Sequence, residues 1–591
     1  MMKRIRKSSK RRNRILAIFL FIMLIAYLGV LYPLWGVFFN KQRHGNPPLT
    51  PAWALECWLW EDDYNTAEYV DTLLAGYAKH DIPVRTIMID SPWSTRYNDF
   101  NVDSLLYPDP QKWFGSLKEK GYRVVLWMTS MVDSYDKDTR FKDSLDFFNH
   151  AEESGYLAAN GRQIKWWKGK GGFIDYSNPE TIKWWRGLQQ NLFDYGIDGW
   201  KLDGTATLFF NRKWKVPFFY QSSHTGMMTT RKYMDHYYRD EYLHGLTQNS
   251  EFITLSRSVD RGYHPEGFAP VDAAPVTWVG DQRHSWKSEG DGSDTVDIAM
   301  DGIEGIEMAM DNVLKSAKLG YNIIGSDVAG FSGRVIPPRL YIRWAQFSAF
   351  CGLFLNGGHG DRMLWNRSEQ EFEIIRRFSW LHTELIPYIY TYVVKAHNGG
   401  NVLQRPVKGK YHYLFGENFL VAPIYKDELK NEVTLPEGEW RYFFDDKEVV
   451  KGPVKFNKEF TLEEYPVYLR EGAIVPMDIK RNYTGIGDQN SEGYLTLLIY
   501  PNGTSEFTVH HPDKSGSTTI NVQEDEQSIQ IHLNSIRKPH ILTVNMNEAP
   551  SKVEMDGTVL RSPDKYFFNP EKHKLFIKTE NYTAGKYTIV R

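Results

Sequence analysis

Eight short apolar runs recur between residues 52 and 397, and stretches with helical spacing separate most of them. The runs are 52–60, 82–90, 122–129, 197–203, 252–257, 274–281, 321–327 and 350–359. Helical spacing marks 69–80, 110–120, 181–195, 305–319 and 338–350. This alternation predicts parallel strands joined by crossover helices. About eight such units over roughly 350 residues predict an α/β fold, a (β/α)8 TIM barrel with insertions, over 52–397.

The barrel reading gives meaning to the residues that end the runs: Asp90, Trp127, Asp203, Arg257, Asp281, Asp327 and His359. In a barrel of parallel strands these ends meet on one face, where catalytic groups sit. The fourth run is the most informative. Tyr195-Gly196-Ile197-Asp198-Gly199-Trp200-Lys201-Leu202-Asp203 reads as a strand buried on both faces that ends in a carboxylate. Asp198 and Lys201 are charges within it, so each needs a partner or a site.

Past 397 the pattern changes to short strands and turns, which predicts all-β regions over 398–478 and 479–591, the first a β-sandwich. Strands are expected at 411–415, 419–422, 432–435, 440–444 and 467–469 in the first. Those of the second are expected at 494–500, 506–510, 528–533 and 541–545. Pro436-Glu437-Gly438 reads as a turn.

A basic segment over 1–14, dense in Lys and Arg from Lys3 to Arg14, precedes a run from Ile15 to Phe39 without a charge. A bilayer needs about 20 apolar residues. The run exceeds the roughly 7–15 of a cleaved signal peptide, and no small-residue cleavage site follows. It predicts an uncleaved signal anchor over 15–39, with the basic flank cytoplasmic and the body on the non-cytoplasmic side of the membrane. A linker over 40–51 leads to the barrel. The net charge of −2 argues against nucleic acid as a partner. With 2 cysteines, Cys57 and Cys351, no disulfide framework is expected. No metal-binding or nucleotide-binding motif is present, so no cofactor or metal is expected.

Trp278-Val279-Gly280-Asp281 provides a second carboxylate at a strand end, opposite Asp203. Glycoside hydrolysis needs two carboxylates facing one cleft, one ionised and one protonated. A cation such as Arg257 favours ionisation of one, and burial raises the other. Either Asp taken alone also fits a helix cap or a buried salt bridge.

Residues 52–477 resemble glycoside hydrolase family 31, the α-glucosidase and α-xylosidase family. Gly199-Trp200-Lys201-Leu202-Asp203 resembles its nucleophile strand, and Trp278-Val279-Gly280-Asp281 its acid/base segment. Further matches are Phe173 to Pro179, Gly325-Ser326-Asp327-Val328-Ala329-Gly330-Phe331, Arg343-Trp344-Ala345-Gln346, Asp99-Phe100 with Tyr107 to Pro110, Phe419 to Pro423 and Arg470 to Pro476. The resemblance implies a retaining α-glycosidase, α-glucosidase-like, acting on terminal non-reducing α-linked sugars of an oligosaccharide or glycoside. Asp203 is then the nucleophile and Asp281 the acid/base. Asp90, Lys201, Arg257, Asp327 and His359 contact the sugar, and Trp127, Trp278 and Trp93 wall it. The same resemblance leaves open α-galactosidase or α-xylosidase specificity, an α-transglycosylase, and a non-catalytic sugar-binding protein. The sequence departs from the family pattern in Ala206, in a long insert between Arg257 and Gly280, and in Asn356 to His359. It also implies a barrel that follows the membrane segment directly, without the N-terminal β-sandwich of most members.

Overall fold

The computed structural model describes residues 2–28, 45–62, 65–205, 220–259, 268–286, 305–333, 335–358, 360–580 and 585–591. Eight parallel strands form one sheet: β1 (Trp58–Glu61), β2 (Thr86–Ile89), β3 (Arg123–Met128), β4 (Gly199–Leu202), β5 (Ile253–Arg257), β6 (Val276–Trp278), β7 (Ile324–Gly325) and β8 (Leu355–Gly357). They pair in sequence order from β1 to β7, and β8 pairs back onto β1. A parallel bridge between Asp327 and Leu355 joins the β7 and β8 segments and closes the ring. The expected barrel is therefore present. Its strands are nearly all buried throughout, as strands covered by helices on one side and a packed interior on the other must be.

Local chemistry sets the entry to β4. Asn178 accepts a hydrogen bond from the Glu180 amide, and Pro179 opens the helix Pro179–Tyr195. Gly196, at φ +84°, ends it, and its N–H meets the Leu192 and Phe193 carbonyls. Three residues on, a Cβ at Gly199 would stand 2.7 Å from the Ile253 carbonyl, so only glycine lets β4 and β5 pair there. Asp198 finds its partner at the opposite end of the barrel from the strand-end carboxylates. It accepts from Arg123 at 2.7 Å and from the Val124 amide at 3.0 Å.

After the helices Glu369–Glu384 and Ile386–His397, the chain enters a six-stranded antiparallel sheet. Two expectations need correction here. The sequence reads a turn at 436–438, but one strand runs from Lys430 to Tyr442 through it, with a register shift between Leu435 and Gly438. The long partner strand Asp445–Glu459 holds both halves in one ladder, so the turn residues become a bulge. That partner strand escaped the sequence reading. It pairs only with Lys430–Tyr442 at the edge of the sheet, and none of its residues is fully buried. Ile474–Met477 pairs with Leu495–Ile499, so the boundary expected at 478 falls after a strand of the next sheet. Five- and six-stranded sheets complete the chain.

The Arg343-Trp344-Ala345-Gln346 segment fastens the first β-region to the barrel. Arg343 donates to the carbonyls of Phe460 at 2.8 Å and Thr461 at 2.9 Å, and Gln346 to that of Leu462 at 2.7 Å. At the N-terminus a helix spans Met2–Ala26. The rest of the expected anchor, beyond residue 28, lies outside the described residues, as does 40–44 of the linker. Among the described residues no helix is long and apolar enough to cross a membrane.

Candidate active site

The strand ends bring Asp90, Trp127, Lys201, Asp203, Arg257, Trp278, Asp281 and Asp327 to one face of the barrel. His359 lies outside the described residues, as does Ala206. Asp203 follows β4, where its amide donates to the Met128 carbonyl at 3.1 Å. The Tyr237 hydroxyl donates to the Asp203 carbonyl at 3.0 Å. Its backbone is thus held by the neighbouring strand β3 and by the helix Thr230–Gln248.

The carboxylate of Asp203 is buried, and each of its oxygens meets a protein donor. Arg257 Nη2 stands 2.8 Å from Oδ1, and Trp127 Nε1 donates to Oδ2 at 3.3 Å. Burial opposes its ionisation. The Arg257 and Lys201 cations and the Gly204 amide outweigh burial and hold the pKa down at about 2. The same Arg257 Nη2 lies 3.8 Å from Asp281 Oδ2. One guanidinium therefore bridges the two carboxylates. Its own plane lies over the Trp278 ring, 4.6 Å from the centroid.

Lys201 meets Asp90, with Nζ 2.6 Å from Oδ2. Burial works against the Lys201 ammonium, but Asp90, Asp203, Asp327 and Asp281 outweigh it and hold its pKa above the usual lysine value. Asp327, on the far side, has the opposite environment from Asp203. Burial dominates, Asp281 adds to it, and the pKa rises to about 7 despite Lys201, Arg362 and Arg257. The Asp281 side chain is 27% exposed against 11% for Asp203.

Trp93 sits behind the wall, where its Nε1 donates to the Trp127 carbonyl at 2.8 Å. Sequence reasoning missed three contributors. Trp166 stacks on Trp127 with centroids 6.2 Å apart, and its Nε1 donates to Asp133 at 2.7 Å. Asp133 is completely buried, as is Asp136. Burial pushes both carboxyls up, Asp136 to about 6. Arg362 lies over the Trp60 ring at 4.8 Å and donates to the Phe331 carbonyl at 3.0 Å. The adjacent Trp166-Trp167 in a polar, Gly-rich run was the one visible signal. The motif around Asp99 proves to shape a loop: its carboxylate accepts from Thr95 at 2.5 Å and from the Asn101 amide at 3.1 Å. Among the described residues no cluster could hold a metal ion.

Such a set can attack an electrophilic carbon with one carboxylate and move a proton with another. Comparison with known proteins gives this chemistry a family. Residues 47–392 match the glycosyl hydrolases family 31 TIM-barrel domain, and 400–475 the C-terminal domain of that family. An α-xylosidase of Emericella nidulans is 26% identical over 470 residues, covering 74% of this chain and 54% of that protein. Alpha-glucosidase 2 of Bacillus thermoamyloliquefaciens is 24% identical, covering 91% and 68%. Among solved structures, a Flavobacterium johnsoniae dextranase complexed with glucose superposes with TM-score 0.78 at 21% identity, covering 93% of this chain and 72% of that one. The chain spans about half to two thirds of the length of such relatives, 54% and 68% for the two named.

Proposed function

The chain belongs to glycoside hydrolase family 31, and from that premise we propose that it is a retaining α-glycosidase acting on terminal, non-reducing, α-linked neutral sugars. Asp203 attacks the anomeric carbon as the glycosidic C–O bond breaks, and Asp281 gives its proton to the departing oxygen. Water then attacks the same carbon. It loses a proton to Asp281, and Asp203 departs with its electron pair restored.

The observation that carries this reading is the shared guanidinium. Arg257 Nη2 lies 2.8 Å from one carboxylate and 3.8 Å from the other. Two carboxylates that reach one nitrogen are close enough to act on the same anomeric carbon, which supports the pair as nucleophile and acid/base. The Arg257 and Lys201 cations hold the Asp203 carboxyl down at about 2, which favours an ionised nucleophile. Relatives carry the names α-xylosidase, α-glucosidase and isomaltosyltransferase, which supports an α-linked neutral sugar and admits transfer to a sugar acceptor.

A panel of 4-nitrophenyl α-glycosides tests the proposal. Asp203→Ala is expected to abolish turnover, and azide to restore part of it as the β-glycosyl azide. Asp281→Ala is expected to retain turnover of good leaving groups far better than of alkyl glycosides. The first product should be the α-anomer. Sugar binding with no turnover of any glycoside would sink the reading.

We also propose that the N-terminal helix inserts in a membrane with the barrel on the non-cytoplasmic side. Support comes from the basic run before Ile15 and from side chains such as Ile18, Phe21 and Ile25, which are 60%, 63% and 56% exposed. A carbonate wash that releases the full-length chain from membranes would refute this.

A further inference from the structure

A cleft of about 510 Å3 opens on the same face of the barrel, lined by Asn65, Thr66, Tyr69, Pro92, Leu106 and Asp138, with Glu68 and Thr72 completing its rim. Every lining residue lies past the C-terminal end of β1, β2 or β3. The segment 90–92 is the wall it shares with the active site. On one side the Asp90 carboxylate faces Lys201 at 2.6 Å. On the other, Pro92 lines the cleft. Asn65 ties the two together, since its Nδ2 donates to the Asp90 carbonyl at 2.8 Å. Lys168 fixes the far wall to the same segment, reaching the Ser91 carbonyl at 3.2 Å and Asp138 at 2.8 Å.

We propose that this cleft is a second glycosyl subsite beyond the sugar that bonds to Asp203, so that the protein releases a disaccharide from the non-reducing end. The inference rests on the glycosidase reading above and extends it. Its direction follows from the strand order. β2 stands four strands from β6, diametrically across an eight-stranded ring. Asp281 follows β6 and serves the leaving group. A sugar whose anomeric carbon sits between Asp203 and Asp281 therefore turns its distal hydroxyls towards Asp90. A unit joined to those hydroxyls runs over the 90–92 wall into the cleft. The bond that breaks is still the one to the leaving group, and the whole disaccharide passes to Asp203 and then to water.

The lining fits a neutral pyranose. The cleft falls within the range of about 300–1,000 Å3 typical of small-molecule sites. Tyr69, Pro92 and Leu106 offer apolar surface to the C–H faces of a ring. Asn65, Thr66 and Thr72 offer hydrogen-bonding groups to its hydroxyls. Glu68 and Asp138 accept from hydroxyls, and the Glu68 carboxylate repels uronic or sulfated units, Asp138 being paired with Lys168.

The test compares 4-nitrophenyl α-isomaltoside and α-maltoside with the α-glucoside, α-xyloside and α-galactoside on the full chain, with products separated by chromatography. Intact disaccharide should appear with the nitrophenol, with kcat/KM at least tenfold above that for the best monosaccharide glycoside. Leu106→Trp and Thr72→Trp should each cut disaccharide kcat/KM at least tenfold and leave the monosaccharide value within twofold. Thr72 is solvent-exposed, so its variant decides the matter if Leu106→Trp fails to fold. A monosaccharide as first product from both disaccharide glycosides, or an equal effect of the variants on both substrate classes, overturns the subsite and leaves the glycosidase reading standing. No turnover of any of the five sinks both.

Discussion

Arg257 Nη2 stands 2.8 Å from Oδ1 of Asp203, and both side chains are buried. Neither charge is tolerable there alone. Arg257 is thus a positioning residue for Asp203 as well as its counter-ion, and its replacement tests both roles. Arg257→Gln removes the larger of the two cations that hold Asp203 near a pKa of about 2. The nucleophile's pKa then rises, so the acid limb of the kcat/KM profile moves to higher pH. A loss of about 10²–10³ in kcat/KM is expected, the scale of removing one charge-stabilising donor. An unmoved acid limb would show that Lys201 alone sets the ionisation.

Asp327 carries a stability signature of opposite sign. Its folded pKa of about 7 lies above the unfolded value of about 3.9. Between those values the folded chain holds a proton that the unfolded chain has released, so stability falls as pH rises from about 4 to about 7. Asp327→Asn removes that slope. Thermal melting should show the variant close to wild type at pH 4 and more stable at pH 8, with glycoside turnover reduced at both. A variant less stable than wild type at pH 8 would refute the assignment.

Trp166 supports the wall from behind. Trp166→Phe keeps a ring against Trp127 and leaves Asp133 Oδ2 without the indole donor at 2.7 Å. A buried acceptor so orphaned costs about 1–3 kcal/mol, readable by urea denaturation. Trp127→Phe instead removes the donor to Asp203 itself and is expected to lower kcat more than stability. Equal effects of the two changes on kcat would contradict this division.

Glu384 joins the barrel's last helices to the segment after the first β-region. It accepts from the amides of Lys480 at 3.0 Å and Arg481 at 3.1 Å, and from the Thr484 hydroxyl at 3.1 Å. Glu384→Ala leaves those donors unmet and should lower stability by about 2–3 kcal/mol. Proteolysis should then open first near 478–484, with KM for small glycosides unchanged.

Several features were legible without coordinates. The strand-end carboxylates announced themselves as charges closing apolar runs, and Asp198 and Lys201 as charges that demanded partners. The edge strand Asp445–Glu459 was not read, because none of its residues is fully buried and only Val450, Val454 and Phe456 mark its inner face among many charges. Trp166 and Asp133 were missed for a related reason. They belong to the antiparallel ribbon formed by Met131–Asp136, Ile164–Lys165 and Gly169–Phe173, in which Gly169 and Gly171 make room for the Asp133 side chain. That room is a property of two strands facing each other and not of either alone.

The sequence by itself determined the barrel and the charged residues that close its strands, because periodicity and a charge that ends an apolar run are local properties of a chain. Tertiary structure alone decided which carboxyl is driven towards ionisation and which away from it. Asp203 and Asp327 are both buried, yet the Arg257 and Lys201 cations outweigh burial at Asp203, while burial dominates at Asp327. A pKa depends on distances across the barrel, and residues 54 apart in sequence, such as Asp203 and Arg257, acquire those distances only when the ring closes.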